Sequence, residues 1–370
     1  MFNFIQTKKG HHPDYILIIS IFLLVVFGLL MLSSASSDIG KIKFNDTYYY
    51  LKHQIFYGLS IGIIGFLITS LLYYKNLKKI AFPFLIINII FLILIFTSLG
   101  FSNKGASRWL NIGSFSFQPA EFLKLSFIIY IATWLSNKKI NRQSFLQGFL
   151  PFIMISGFIS ALIIMQPATT ILLIIMASTL IIYFASGAKI IHIASIILLG
   201  LLGLALIIYI TPYRYKRIEA FFVNNPEKQE TSRYQINQSL MAIGSGGLFG
   251  IGFGKSTTKY KYLPEPIGDS IFAVLAEELG FIGSLFTISA FIVLFLKGFL
   301  IAKNSSDQFA KLIVIGFISI ISIQTFIHIA AISGLIPLTG VPLPFISYGG
   351  TSLAVFLTMA GIIVNISKHT

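Results

Sequence analysis

Apolar runs recur along the chain from Tyr15 to Ile366, separated by short polar stretches, and no polar block is large enough to make a separate soluble domain. About 20 apolar residues carry a helix across the hydrocarbon core of a bilayer. On that measure the pattern predicts spans at 15–34, 54–73, 80–99, 119–136, 147–165, 169–186, 190–211, 270–297, 311–334 and 347–366. The expectation is an all-α integral membrane protein, one polytopic domain over residues 1–370 with ten transmembrane helices. The long connection lies between the seventh and eighth helices, a loop of about 212–268. The first run follows Lys8 and Lys9 and precedes SSASS, the layout of a signal peptide, but the many spans behind it favour a retained anchor.

Composition agrees with the pattern. The chain is 56% hydrophobic and 11% charged, with a mean hydropathy of +0.87, whereas a soluble domain carries about 25% charged residues. It has no cysteine, which excludes a disulfide framework, a zinc–thiolate site and a thiol nucleophile. Ten spans put both termini on one side, and the basic residues say which. Lys8, Lys9, Lys75, Lys78, Lys79, Lys138, Lys139, Arg142, Lys189, Lys297, Lys303, Lys311 and Lys368 fall in one set of tails and loops, against Lys41, Lys43, Lys52, Lys104 and Arg108 in the opposite short loops. The positive-inside rule then makes both termini cytoplasmic and the 212–268 loop extracellular.

The net charge of +15 is mostly explained by that insertion bias, so nucleic acid is not an expected partner. The long loop is basic as well, with Arg214, Lys216, Arg217, Lys228, Arg233, Lys255, Lys259 and Lys261. Cations at an outer bilayer surface suit an anionic head group or a diphosphate.

Only 12 acidic residues occur in the chain, yet YLPEPIGDSIFAVLAEELG at 262–280 sets Asp269 at the mouth of an apolar run and Glu277 and Glu278 inside it. Carboxylates in hydrocarbon are costly and are held by partners or used for function. On an ideal helix Glu277 lies about 12 Å deeper than Asp269 and about 80° around, and Glu278 is nearly opposite. Those separations exceed the roughly 5–9.5 Å of paired glycosidase carboxylates. A second polar stretch, KGASRWLNIGSFSFQPAEFLKL at 104–125, leads into the fourth span, where Glu121 and Lys124 are three apart and can pair on the helix. Three other patterns carry no chemistry. GFGKST at 252–257 has Phe249 where a phosphate-binding loop needs glycine, NDT at 45–47 is a short triplet, and the six histidines show no metal spacing. His328 reads as a helix-interface residue.

Together with RYQINQSLMAIGSGGLFGIGFGKSTTKYKYLPEPIGDSIFAVLAEELG at 233–280 and TGVPLPFISYGGTSL at 339–353, these stretches resemble the shape, elongation, division and sporulation family across nearly the whole chain. The resemblance implies a ten-helix glycosyltransferase that joins lipid II units into glycan strands at the outer face of the bacterial plasma membrane. QSLMAIGSGG and RIEAFF are closer to the family's division branch, which implies the division septum, than to its elongation branch. Asp269 matches the family's essential acid and is the expected general base. The substrate-binding candidates in the matching stretches are Arg108, Trp109, Gln118, Glu121, Lys124, Arg217, Gln235, Ser239, Lys255, Glu265 and Ser347. Arg108, Arg217, Lys255 or a divalent cation, magnesium or manganese, would help a polyprenyl diphosphate depart.

The implied partners are a class B penicillin-binding protein, a transpeptidase, and other division or elongation membrane proteins. Rival readings are a lipid II flippase and a scaffold without activity. This chain departs from the family in three places. Gln166-Pro167 is followed by Ala168 in place of Asp, His328 stands for a common Asn, and Ile267-Gly268-Asp269-Ser270 replaces His-Thr-Asp-Phe.

Overall fold

The computed structural model describes residues 11–103, 106–112, 115–212, 214, 215, 219, 221, 231–260 and 262–370. Its helices are α1 (Tyr15–Ala35), α2 (Ser37–Phe44), α3 (Tyr49–Leu71), α4 (Tyr74–Leu94), α5 (Pro119–Leu135), α6 (Phe145–Ile164), α7 (Thr169–Ala185), α8 (Ile190–Ile210), α9 (Thr231–Ser245), α10 (Ile271–Asn304), α11 (Gln308–Ile332) and α12 (Gly350–Ser367). Helices are the natural state for these runs, because in hydrocarbon a backbone must bond to itself. Among the described residues eight are long and apolar enough to cross a membrane: α1, α3, α4, α6, α8, α10, α11 and α12. The other two predicted spans form α5 and α7, 17 residues each. At 1.5 Å per residue they measure about 26 Å, slightly less than a ~30 Å core.

One buried apolar cluster reaches from Leu17 to Ile366. Its tightest seam joins α3 to α12, where small residues let the backbones close up. A Cβ on Gly62 would meet Leu357 Cδ1 at 2.5 Å, and one on Gly361 would meet the Phe66 carbonyl at 2.5 Å. Thr69 Oγ1 donates across the seam to the Thr358 carbonyl at 3.1 Å.

Side-chain ties mark two ends of the bundle. At one, Lys297 pairs with Asp14 at 3.4 Å and Asn365 Oδ1 accepts from the Tyr74 amide at 3.0 Å. At the other, Ser34 bonds Glu278, and Tyr348 Oη meets His53 Nδ1 at 2.9 Å. Asp269 belongs to this second end.

Three features depart from the sequence reading. The stretch read as a loop ahead of α5 holds a three-stranded antiparallel sheet, β1 (Gly100–Asn103), β2 (Ala106–Ile112) and β3 (Phe115–Phe117), so the fold is helical with a small sheet on one end. The 212–268 connection contains α9, packed on α10 and α11. And α10 is two helices that meet at a kink at Gly280, whose φ of 66° and ψ of −162° lie outside the helical region.

Candidate functional site

Asp269 sits in a turn that leads into α10. The turn is closed by the Glu265 carbonyl, which accepts from the amides of Gly268 at 3.2 Å and Ser270 at 3.1 Å. Ser270 is the N-cap residue of α10, so Asp269 stands one position ahead of it. The Ser270 hydroxyl donates to the Pro264 carbonyl at 2.8 Å and accepts from Gln235 Nε2 at 2.9 Å, which fastens α9 to the turn. From the other side comes the 339–349 segment. Ser347 Oγ donates to the Gly268 carbonyl at 2.8 Å while accepting from the Leu343 amide, and the Tyr348 amide donates to the Ile267 carbonyl at 2.9 Å. Asp269 is thereby held, half-buried, against Gly340, where an added Cβ would come 3.3 Å from Oδ2.

Between the two segments lies a small hollow lined by Asp269, His328, Leu338, Thr339, Gly340 and Val341 among others, too tight to hold a water molecule. A cleft that takes in a small molecule measures roughly 300–1,000 Å³, so the hollow is a packed seam and not a formed substrate pocket.

Deeper in the bundle the predicted Glu121–Lys124 pair is present and buried. Lys124 Nζ donates to Glu121 Oε1 at 2.8 Å and to Gln324 Oε1 at 2.7 Å, with side-chain exposures of 0% for the lysine and 3% for the glutamate. Gln324 Nε2 in turn donates to the Pro342 carbonyl at 2.8 Å. The chain of bonds runs from α5 through α11 into the segment that walls the hollow, so the pair supports the site from beneath.

Glu277 and Glu278 have a different task. Glu277 accepts from Ser256 Oγ at 2.6 Å, the Thr257 amide at 3.1 Å and the Thr258 hydroxyl. Glu278 pairs with Lys259 Nζ at 2.8 Å and accepts from Ser34 Oγ at 2.6 Å. Both carboxylates are spent on clasping the 254–259 segment to the bundle. The break at Gly280 serves the same docking, since the Ile251 and Gly252 amides donate at 3.0 Å to the Glu277 and Glu278 carbonyls that the interrupted helix leaves open.

A family model described as the cell cycle protein family of FtsW, RodA and SpoVE matches residues 14–370. The chain belongs to the FtsW/RodA/SpoVE family. It is 38% identical to the stage V sporulation protein E of Bacillus subtilis (strain 168), covering 99% of this chain and 100% of that one. It is 35% identical to a probable peptidoglycan glycosyltransferase FtsW of Geobacter sp. (strain M18), covering 96% and 97% of the two chains. A solved chain from work on structural coordination of polymerization and crosslinking by a peptidoglycan synthase complex shares its fold, with a TM-score of 0.78 at 22% identity over 96% of this chain and 98% of that one. Family and fold together make this a multi-pass membrane protein.

Of the residues that the family resemblance singles out, Gln235, Glu265 and Ser347 are tied to the turn that carries Asp269. Ser239 bonds within its own helix, to the Gln235 carbonyl at 2.8 Å. Arg108, on β2, donates to the carbonyls of Gln166 at 3.3 Å and Pro167, and Trp109 faces Phe101 across the sheet. That turn abuts the hollow, because Thr170 Oγ1 donates to the Thr339 carbonyl at 3.0 Å. Gln118 is the N-cap residue of α5, though its side chain makes no capping bond. Lys255 is exposed on the clasped segment. Arg217 lies outside the described residues. Lys259, counted among the outward cations, is 2% exposed and neutralised by Glu278, because the segment folds inward.

Sequence reasoning passed over Thr339 and took His328 for a packing residue. Both line the hollow. The one signal was the replacement of a common family Asn by His328. As for a divalent ion, the hollow brings a single carboxylate, and no cluster of three or more His, Asp or Glu side chains gathers among the described residues. A resident site does not fit this donor set. A magnesium or manganese ion would have to arrive with substrate phosphates.

Proposed function

We propose that this chain is a peptidoglycan glycosyltransferase of the bacterial plasma membrane, which joins lipid II units into glycan with Asp269 as general base. The observation that carries the reading is the place of Asp269: at the rim of a hollow, fixed between the 265–270 turn and the 339–349 segment. A hydroxyl of the acceptor sugar attacks the anomeric carbon of the donor. The new C–O bond forms as the bond to the polyprenyl diphosphate breaks, and the hydroxyl proton passes to the Asp269 carboxylate. Arg108 and the exposed Lys255 are the cations offered to the departing diphosphate, and one arm of the assay with a chelator addresses a substrate-borne magnesium or manganese ion.

The topology that goes with this is ten spans in one polytopic domain, both termini cytoplasmic and the Asp269 end outside. A class B penicillin-binding protein at the division septum is the partner in view, supported by the family's division members and by the peptidoglycan synthase complex whose solved chain shares this fold.

Asp269→Asn tests the base. Ser270, not Asp269, is the N-cap residue, so the variant should keep its melting temperature and its co-purification with the transpeptidase. Glycan formed from lipid II by the purified protein should fall by about 10² to 10⁴, the worth of a general base. A folded Asn variant that polymerises at the wild-type rate removes Asp269 from the chemistry. Flippase and scaffold readings predict that outcome, and the break at Gly280 does not favour transport, because the clasped segment fills it.

A further inference from the structure

Three consecutive amides in the segment that holds the Asp269 turn each have a fixed acceptor. The Ser347 amide donates to the Leu343 carbonyl at 3.0 Å, the Tyr348 amide to the Ile267 carbonyl at 2.9 Å, and the Gly349 amide to Gln54 Oε1 at 3.0 Å. The first two bonds join backbone to backbone. The third depends on one side chain of another helix.

Gln54 lies on α3 and is 2% exposed. Its Nε2 donates to the Ser347 carbonyl at a longer 3.5 Å, so both ends of its amide are spent on the backbone of 347–349. The neighbouring His53 meets Tyr348 Oη through Nδ1, and two adjacent residues of α3 thereby grip two adjacent residues of the segment. Neighbours on a regular α-helix point about 100° apart. Here the helix gives way to a π-helical turn over Gln54–Leu59, a rare form that frequently marks functional sites. Gly58 in the same turn brings α3 against the start of α12, since a Cβ there would come 3.1 Å from Gly350 Cα.

The segment passes this hold on to Asp269. Ser347 Oγ reaches the Gly268 carbonyl at 2.8 Å, and the Tyr348 amide reaches the Ile267 carbonyl, so the two residues just ahead of Asp269 are both tied to it. A general base acts only within about 2.6–3.2 Å of the atom whose proton it takes. A misplacement of about 1 Å can cost 10²-fold in rate. We propose that Gln54 is a positioning residue for Asp269, fixing the 347–349 segment from α3 without touching the reacting atoms. This rests on Asp269 acting as the base.

Gln54→Met keeps the length of the side chain and loses both bonds. Asn365→Leu is the matched control. Asn365 is likewise 2% exposed and spends its amide on two backbone groups, the Tyr74 amide at 3.0 Å and the Ser70 carbonyl at 2.9 Å, at the other end of α12. Both variants should melt below the wild type. Per folded full-length protein given lipid II, Gln54→Met should lower kcat about 10- to 100-fold with the apparent KM unchanged, the mark of a misplaced base. Asn365→Leu should keep the wild-type kcat. Added to Asp269→Asn, the Met substitution should lower the residual rate no further, because no base is left to misplace. Should the Met variant not fold, Gln54→Asn, which draws the amide back by one methylene, carries the same comparison. A folded Gln54 variant with wild-type kcat, an equal loss of kcat in Asn365→Leu, or a loss that recurs in full on Asp269→Asn overturns the positioning role and leaves the base standing. An Asp269→Asn protein that polymerises at the wild-type rate overturns both.

Discussion

Lys124 shows how much one side chain can hold. Its ammonium is fully buried, bridges Glu121 and Gln324, and lies 5.2 Å from the centre of the Phe356 ring. Glu121 Oε2 has no hydrogen-bond partner, so the lysine is the carboxylate's main support. Lys124→Ala would leave an uncompensated buried charge, at a cost of about 3–5 kcal/mol. Lys124→Arg, which retains the charge, should lose less. The double variant Glu121→Gln/Lys124→Met should recover much of the loss, since replacing both ions of a buried pair is often near neutral. Thermal unfolding in detergent checks the order, and an Ala variant that melts as wild type would mean that the charges do not depend on each other. This pair was legible in the sequence because spacing of three on a helix makes neighbours. Lys259 with Glu278 was not legible. Those residues are joined by a segment that folds back on the helix, and no periodicity reports a contact across such a turn.

At the scale of elements, the long apolar runs announced the spanning helices, and the misses share a cause. Helix α9 buries Gln235, Ser239 and Ala242, a polar and small stripe at helical spacing, so a search for apolar runs passes over it. The sheet strands are three to seven residues long, too short for alternation to stand out. The break in α10 depends on Gly280, and its filling depends on Gly250. Gly250 has a φ of +79°, and a Cβ there would come 2.2 Å from the Glu278 carbonyl, a backbone atom that cannot step aside. Gly250→Ala should therefore loosen the 246–260 segment, lowering the melting temperature and opening that segment to protease. Gly244→Ala is the matched control: it lies in α9 with nothing within 4 Å of its Cβ, and alanine is favoured over glycine in a helix by roughly 0.5–1 kcal/mol. Equal protease resistance and equal melting in the two variants would mean that the segment does not need the close approach at Gly250.

For the whole molecule, the decisive quantity is which end faces out. The bundle gathers Asp269, the sheet and the clasped segment at one end, while Lys139 and Lys303 project at the other. By the positive-inside rule, which counts basic residues in short loops, the excess of lysine and arginine in that second set of loops predicts a cytoplasmic face. The absence of cysteine in the native sequence makes a direct measurement possible, because any introduced thiol is the only one. Lys41→Cys and Lys255→Cys stand at exposed positions on the Asp269 end, and Lys139→Cys and Lys303→Cys at exposed positions on the other. A membrane-impermeant maleimide added to intact cells should label the first two, and should reach the second two only after the membrane is permeabilised. The reverse pattern would turn Asp269 toward the cytoplasm. A base on that side would act on a lipid-linked sugar before it has crossed the bilayer, and polymerisation at the outer face would have to be given up along with the orientation.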